Sequence, residues 1–271
     1  MNILFISSKD NPKIKRLAAL LSSKKHRSAE GVFVVEGVRS CADALKESLE
    51  GSLDVESLYF TDDAKNELEE RLGKDVFEHF DNSACFEITK ELADKVSLEG
   101  NTQGAFVVAR AVHKPLPESL SGKRYVVLDN IQDPGNLGTI LRTADAVGAD
   151  GVILTNNCAE LYNPKVIRST MGSICRTDIY VENSFEKVCS AFKDSGICVV
   201  AAVVREGELL SRYRFAPKCA VVIGNEGRGL SEEHIALCDE KVTIDMHGRL
   251  DSLNASVAAA VIMWEMSKEG C

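Results

Sequence analysis

Apolar runs alternate with helical patterns through the second half of the chain, and this alternation constrains the fold more than any other feature. The runs are short and carry almost no charge, which is typical of strands buried on both faces of a sheet. Buried strands joined by helices belong to parallel sheets with helices on both sides. The predicted strands are residues 125–129, 151–154, 178–181, 197–204, 220–223 and 242–244.

The first half of the chain predicts a second α/β domain. Residues 113–123 (HKPLPESLSGK) hold two prolines and little apolar content, so we predict a linker there. A chain of 271 residues can form two ordinary domains, which we place at residues 1–112 and 124–271. The patterns before the linker predict helices at 7–27, 40–49 and 64–72 and strands at 32–35, 58–60, 85–88 and 104–112.

The net charge of −9 argues against a nucleic-acid partner only if the charge is evenly spread. Residues 1–40 hold eight basic residues against three acidic ones, and such a face can bind a polyanion. An amphipathic helix with a solvated basic side would give the same pattern. No apolar run approaches the roughly 20 residues that cross a bilayer. No two of the nine cysteines are spaced as C-x-x-C, so we expect no metal site. Because the cysteines are scattered and no apolar run is long enough for a membrane, we expect a cytoplasmic protein with no membrane partner.

Three segments carry polar residues next to predicted strand ends: 130–146 (NIQDPGNLGTILRTADA), 221–230 (VVIGNEGRGL) and 244–260 (IDMHGRLDSLNASVAAA). In a parallel sheet the carboxyl ends of the strands meet at one edge, where ligands bind. The G-x-x-G-x-G spacing of the second segment is neither the dinucleotide fingerprint nor a phosphate loop. A nicotinamide dehydrogenase or an ATP site is therefore disfavoured.

Most polar residues in these segments also have an ordinary structural explanation. Asn136 could cap a helix, Arg142 could pair with Asp145, and Ser252 could cap the last helix. Glu226 follows a buried strand between two glycines, where a tight loop alone does not explain a charge. Asn254 opens a helix that is apolar nearly all round, so it needs a polar partner, and that helix is expected to be buried on several sides.

In this order and spacing, the three segments resemble the motifs of the SpoU/TrmH family of RNA ribose 2′-O-methyltransferases. The resemblance extends to N-P-x-I-K at residues 11–15, F-V-V-E-G at 33–37 and T-Q-G at 102–104. It implies a ribosomal-protein-like α/β/α domain that binds RNA, followed by a SPOUT domain with a mainly parallel sheet and a trefoil knot. It also implies a homodimer, in which Arg142 could act near the partner's cofactor.

The resemblance assigns roles by position. Asp245 stands where the family usually has proline and Ala255 where it usually has valine, which leaves the shape of the loop around the cofactor open. No metal is required. The implied catalytic set is Asn136, Arg142, Glu226, Ser252 and Asn254, and the implied S-adenosylmethionine site is Leu154, Thr155, Gly224, Asn225, Ile244, Met246 and Leu253.

The implied reaction transfers a methyl group from S-adenosylmethionine to a ribose 2′-hydroxyl of RNA. The separate first domain favours ribosomal RNA over transfer RNA. We expect Asn136 and Ser252 to position the ribose and Glu226 to orient Arg142 or Asn254. Arg142 would hold a phosphate rather than act as a base, because a guanidinium stays protonated in proteins. The alternatives are a tRNA ribose methyltransferase and a non-catalytic RNA-binding protein with the same fold. Binding of S-adenosylmethionine by the protein would distinguish an enzyme from the non-catalytic RNA-binding protein.

Overall fold

The computed structural model describes residues 3–81, 83–98, 100–155 and 157–268. Contacts divide the chain into two compact units. The first comprises Met1–Val112 and Tyr162–Arg176, and the second comprises His113–Leu161 and Thr177–Cys271. Tyr162–Arg176 therefore belongs to the first unit, although its sequence lies in the second half of the chain.

The first 112 residues alternate strands and helices, as the sequence predicts. Asn11 caps the first helix by accepting a hydrogen bond from the Lys13 amide at 2.9 Å. The elements are β1 (Leu4–Ile6), α1 (Pro12–Ser22), α2 (Lys24–Glu30), β2 (Val32–Glu36), α3 (Val38–Leu49), β3 (Val55–Phe60), α4 (Asp62–Leu72), β4 (Cys85–Ile88), α5 (Lys90–Val96) and β5 (Ala105–Arg110).

The strands of the first unit form a mixed sheet in the order β1-β4-β3-β5-β2. Val32 and Val34 pack with the helices α1 and α5 on one face. Because alternate residues of a strand point to opposite faces, Val35 faces the other side, where α3 packs against β2, β3 and β5. Helices therefore cover both faces, and the predicted α/β/α architecture is confirmed.

The single helix predicted over residues 7–27 is wrong. The structure has β1 before it, starts the helix at Pro12 and breaks it at Ser23, which is extended with φ −130°. Serine is a weak helix former because its hydroxyl competes for backbone groups, and here the Ser22 hydroxyl donates to the Ala18 carbonyl. A second helix, α2, follows the break.

Tyr162–Arg176 completes the α3 face of the first unit. The Tyr162 ring stacks on Phe33 with centroids 4.9 Å apart, and its hydroxyl accepts a hydrogen bond from the Val112 amide at 2.8 Å. Gly172 has φ +88°, and a Cβ there would come within 2.6 Å of an Asp43 carboxylate oxygen. Close packing at Gly172 and ring stacking at Tyr162 thus fix both ends of this segment.

The strands of the second unit form a fully parallel sheet in the order β11-β13-β10-β12-β7-β8-β9-β6. This confirms the mainly parallel sheet predicted from the apolar runs. After residue 112 the elements are β6 (Lys114–Pro115), β7 (Arg124–Leu128), α6 (Pro134–Ala146), β8 (Gly151–Leu154), α7 (Pro164–Thr170, in the first unit), β9 (Ile179–Val181), α8 (Phe185–Asp194), β10 (Cys198–Ala202), β11 (Glu208–Leu209), β12 (Cys219–Ile223), α9 (Glu232–Ala236), β13 (Glu240–Thr243) and α10 (Ala255–Lys268).

Helices cover both faces of this sheet. The helix α8 packs with residues such as Val127 and Val222, whereas α6 and α10 pack against each other and against the opposite face. Residues 113–123, predicted as a linker, instead form part of this unit. Leu120 is buried there, and its amide donates to the Ser195 hydroxyl at 2.9 Å. Within the described ranges, no helix is both long and apolar enough to span a membrane.

Candidate active site

A cavity of about 260 Å³ lies at the carboxyl ends of β10, β12 and β13. These three strands are neighbours in the sheet, with β10 in the middle. Ligand sites of parallel sheets form at this edge, because the loops after the strands converge there. The lining residues are Ala202, Val203 and Val204 after β10, Ile223 to Gly229 around the end of β12, and Ile244, Met246, Asp251, Ser252, Leu253, Ala255, Ala258 and Ile262 after β13.

The structure brings most of the predicted cofactor residues to this cavity, but not Leu154 and Thr155. Both are buried, and the Thr155 hydroxyl donates to the Asp129 carboxylate. They lie at the end of β8, which β7 separates from β12, and neither residue lines the cavity. Among the lining residues that sequence reasoning missed are Ala202, Val203 and Val204 at the end of β10, where the signal was an apolar run that continues past the strand. Gly224, Asn225, Ile244, Met246 and Leu253 line the cavity together with Glu226 and Ser252.

Gly224 and Asn225 shape the loop after β12. Asn225 and Gly229 exchange backbone hydrogen bonds at 2.9 and 3.1 Å, which folds the loop back on itself. A Cβ on Gly224 would lie 2.5 Å from the Gly229 carbonyl carbon, so only glycine fits there. The Asn225 side chain accepts from the Gly227 and Arg228 amides and donates to the Asn130 carbonyl at 2.9 Å.

Glu226 ties this loop to the loop after β7. Its carboxylate accepts hydrogen bonds from the Gln132 amide at 3.2 Å, the Asp133 amide at 2.9 Å and the Asn136 side-chain amide at 3.1 Å. Burial opposes ionisation, but these donors outweigh it and hold the pKa of Glu226 below its ordinary value. The carboxylate is therefore an anionic acceptor at neutral pH. The expectation that Glu226 orients Arg142 or Asn254 is replaced by this contact with Asn136.

Asn136 is not the cap of its helix. Asp133 caps α6 by accepting from the Asn136 backbone amide at 2.9 Å, which leaves the Asn136 side chain to donate to Glu226. Asn136 is buried, so its amide needs this partner. Two segments separated by 90 residues in the sequence thus meet at one polar contact.

Asn254, not Ser252, caps α10, so the cap predicted at Ser252 is wrong. The Asn254 side-chain oxygen accepts from the Ser256 amide at 2.9 Å and from the Ser256 hydroxyl at 2.6 Å. Both residue types are good caps, and the chain places the asparagine directly before the first helical residue. Ser252 remains exposed and lines the cavity.

Arg142 lies on the exposed side of α6. It has no hydrogen-bond or ion-pair partner among the described residues, so the ordinary explanation of a pair with Asp145 is not the arrangement in the structure. Among the described residues of the chain, no hydrogen bond or ion pair joins Arg142 to Asn136 or Glu226. An exposed guanidinium without a partner is available to a ligand or to another chain.

Models of known families match both parts of the chain. Residues 123–264 match the SpoU rRNA methylase family, and residues 11–107 match an MRM3-like substrate binding domain. The chain belongs to the SpoU rRNA methylase family. The cavity and the Glu226–Asn136 contact both lie within the first of these matches.

Three proteins that are similar to this SpoU methylase match it over nearly their whole length. The 23S rRNA (guanosine(2553)-2′-O)-methyltransferase RlmP of Bacillus subtilis is 28% identical, with 96% of this chain and 98% of that protein covered. An AdoMet-bound rRNA methyltransferase from Sinorhizobium meliloti has a TM-score of 0.85 at 27% identity, with both chains fully covered. AviRb from Streptomyces viridochromogenes, in complex with AdoMet, has a TM-score of 0.80 at 26% identity, with 96% and 98% covered.

Gly224→Ala is expected to disrupt the cavity, because the new methyl group would meet backbone atoms that cannot rotate away. Overpacking of this kind costs about 1–3 kcal/mol. We expect a lower melting temperature and loss of S-adenosylmethionine binding in calorimetry. Gly227→Ala is the matched control, since its nearest neighbour would be 3.8 Å away. Equal cofactor affinity in the two variants would contradict the role given to Gly224.

Proposed function

We propose that the protein methylates a ribose 2′-hydroxyl of ribosomal RNA, with S-adenosylmethionine as methyl donor. The observation that carries this proposal is the cavity at the ends of β10, β12 and β13, next to the contact between Glu226 and Asn136. The names of the RlmP and Sinorhizobium meliloti proteins support ribosomal RNA. A neighbour whose name refers to tRNA covers only 55% of this chain, whereas residues 11–107 match an MRM3-like substrate binding domain. This separate domain favours ribosomal RNA as the substrate.

The cavity suits the cofactor. Its walls include Val203, Ile223, Ile244 and Leu253, which can enclose an adenine ring, and the absent side chain at Gly224 lets ligand and backbone approach closely. S-adenosylmethionine, when bound, supplies a methyl group on a positively charged sulfonium.

The chain's own residues then position the ribose and hold charge. Glu226 fixes Asn136, and Asn136 and Ser252 orient the ribose so that its hydroxyl is in line for displacement. Asn254 uses its side-chain oxygen as a helix cap, which leaves its amide group for the substrate. Arg142 keeps its proton, so it clamps a phosphate and stabilises the negative charge that develops on the ribose oxygen.

Arg142→Lys is expected to slow methyl transfer by about a hundredfold, the loss typical of one oxyanion-type donor. Lysine keeps the charge but loses the planar fork that holds two oxygens together. Single-turnover methylation of a responsive RNA measures the rate, and cofactor affinity should stay unchanged. Arg212→Lys, at another exposed position of the second unit, is the control. Near-equal rates for Arg142→Lys and wild type would remove Arg142 from the active site.

We also propose a homodimer formed through α10, with Arg142 near the partner's cofactor. The helix buries one face, but Val257, Val261 and Trp264 are 47%, 37% and 59% exposed on the other. Their spacing of four and three residues places them in one stripe. Exposed apolar stripes of this kind mark protein interfaces. The helix α6, which carries Arg142, packs against α10 and so adjoins the proposed interface.

Trp264→Glu is expected to produce a monomer in sedimentation, because a charge would replace the largest apolar group of the stripe. If Arg142 acts near the partner's cofactor, methylation should fall together with dimer content. Leu237→Glu, which changes an exposed leucine elsewhere in the second unit, is the control and should leave the dimer content and the methylation rate unchanged. A dimeric Trp264→Glu protein would argue against this interface.

We propose that the first unit grips RNA through its exposed lysines. Two of the eight basic residues that suggested RNA binding have structural roles instead. Arg27 is buried and donates to the Leu20 and Leu21 carbonyls at 2.6 and 3.1 Å, and Arg16 pairs with Glu30 and Glu56. The exposed cations that remain are Lys9, Lys13, Lys15, Lys24, Lys25 and Arg39.

Lys24→Glu combined with Lys25→Glu is expected to weaken RNA binding and to reduce the slope of log affinity against log salt by about 1 to 2. Both lysines are exposed at the start of α2, so the fold should survive. Lys46→Glu with Lys74→Glu makes the same charge change elsewhere on the unit and is the control. Equal salt slopes in the two double variants would move the RNA site away from α2.

We infer that the protein works in the cytoplasm, in the compartment of its ribosomal RNA substrate. The free cysteines of the described residues are compatible with a reducing compartment. The trefoil knot that the family resemblance implies stays a prediction.

A further inference from the structure

The residues between β13 and α10, 244–254, contain no helix or strand, yet they supply one wall of the cavity. We call this segment the cofactor loop. A loop without a ladder of backbone hydrogen bonds takes its conformation from individual side-chain contacts. The contacts that hold the cofactor loop therefore decide whether the cavity is preformed when a ligand arrives.

Asp245 joins this loop to the segment that follows β11. One of its carboxylate oxygens accepts a hydrogen bond from the Ser211 amide at 3.1 Å, and the other accepts from the Ser211 hydroxyl, also at 3.1 Å. Its neighbours Ile244 and Met246 line the cavity, whereas Asp245 does not. Alternate side chains of an extended segment point to opposite sides. Fixing Asp245 on Ser211 therefore directs Ile244 and Met246 into the cavity.

Ser211 is a firm anchor because the segment before it is attached to the sheet. The strand β11 pairs with β13, and the Leu210 amide donates to the Thr243 carbonyl at 2.8 Å. Leu210 and Tyr213, on either side of Ser211, are buried. The chain that leads into this anchor also contributes Val203 and Val204 to the cavity.

An ion pair between Asp251 and Arg205 is a weaker restraint on the cofactor loop. Asp251 meets Arg205 at 3.3 Å, but their side chains are 80% and 77% exposed, and such pairs contribute little. At Asp245 the Ser211 amide is the main reason that the pKa of the carboxyl lies below its usual value, with a smaller effect from His247. Asp245 is thus ionised at neutral pH, and its hydrogen bonds are charge-assisted.

We propose that Asp245 is a positioning residue for S-adenosylmethionine: held by Ser211, it fixes the cofactor loop in the conformation that binds the cofactor. This inference rests on the proposed function, because it assumes that the cavity takes S-adenosylmethionine. Asp245 acts through Ile244 and Met246 and does not touch the reacting atoms. Its loss should therefore change cofactor affinity and leave the chemical step in place.

Calorimetric titration of the full chain with S-adenosylmethionine tests the proposal. We expect Asp245→Ala to weaken binding by about tenfold, since it removes two charge-assisted hydrogen bonds. Ser211→Ala, which keeps the backbone donor, and Asp245→Asn, which loses the charge, should each weaken it by about threefold. Combining Ser211→Ala with Asp245→Ala should add nothing, because the partner is already gone. Glu208→Ala, at an exposed carboxylate of β11, is the matched control and should bind as wild type does.

Steady-state methylation adds a readout that general destabilisation would not give. For Asp245→Ala, the KM for S-adenosylmethionine should rise by about tenfold while kcat stays within about twofold. Wild-type affinity in Asp245→Ala, additive losses in the double variant, or a lower kcat at unchanged KM would each overturn the proposal while leaving the methyltransferase assignment intact. A wild-type protein that binds no S-adenosylmethionine would overturn both.

Discussion

One carboxylate joins the two loops on which the candidate active site is built. Glu226 follows β12, and its carboxylate accepts hydrogen bonds from two backbone amides of the loop after β7 and from one side-chain amide in the first turn of α6. Parallel strands bring these loops side by side, but adjacency alone does not fix their conformations. Glu226 does so with hydrogen bonds that strengthen because the acceptor is charged. Asn136 is thereby held in a buried position, where leaving its side-chain amide without a hydrogen-bond partner would be strongly unfavourable.

Local patterns predicted the buried strands and most helices but not the short strands β1, β6 and β11, because burial on a parallel sheet leaves a short apolar run in the sequence. Strand order is not a local property, so the pattern alone could not test the positions of Leu154 and Thr155 that the resemblance implied. Their strand has the same pattern as β10, but it lies on the far side of β7. The helix cap was misplaced for a different reason: Ser252 and Asn254 have similar capping preferences, and only the backbone decides between them. The packing of Tyr162–Arg176 with the first unit left no signal in periodicity.

The motif residues were identified by resemblance, whereas their contacts required the structure. Glu226 could be singled out because a charge beside a buried strand needs an explanation, but nothing in the sequence indicated Asn136 as its partner. The same holds for Asp245: the resemblance identified it as a departure from the family, but its contact with Ser211 required the structure. Where the family usually has a proline, which restricts the backbone covalently, this chain has a side chain that restricts it through Ser211. A covalent restraint is permanent, whereas a hydrogen-bonded one can open and close.

The packing of Tyr162–Arg176 against the first unit has a consequence for biosynthesis. The first 112 residues are synthesised well before Tyr162. Phe33 therefore lacks its stacking partner while β7, α6 and β8 are being synthesised. The amino-terminal unit can therefore complete its core only after part of the catalytic sequence has been made. Domains usually fold in order from the amino terminus. Here that order is interrupted, and the last steps of folding of the two units become linked in time.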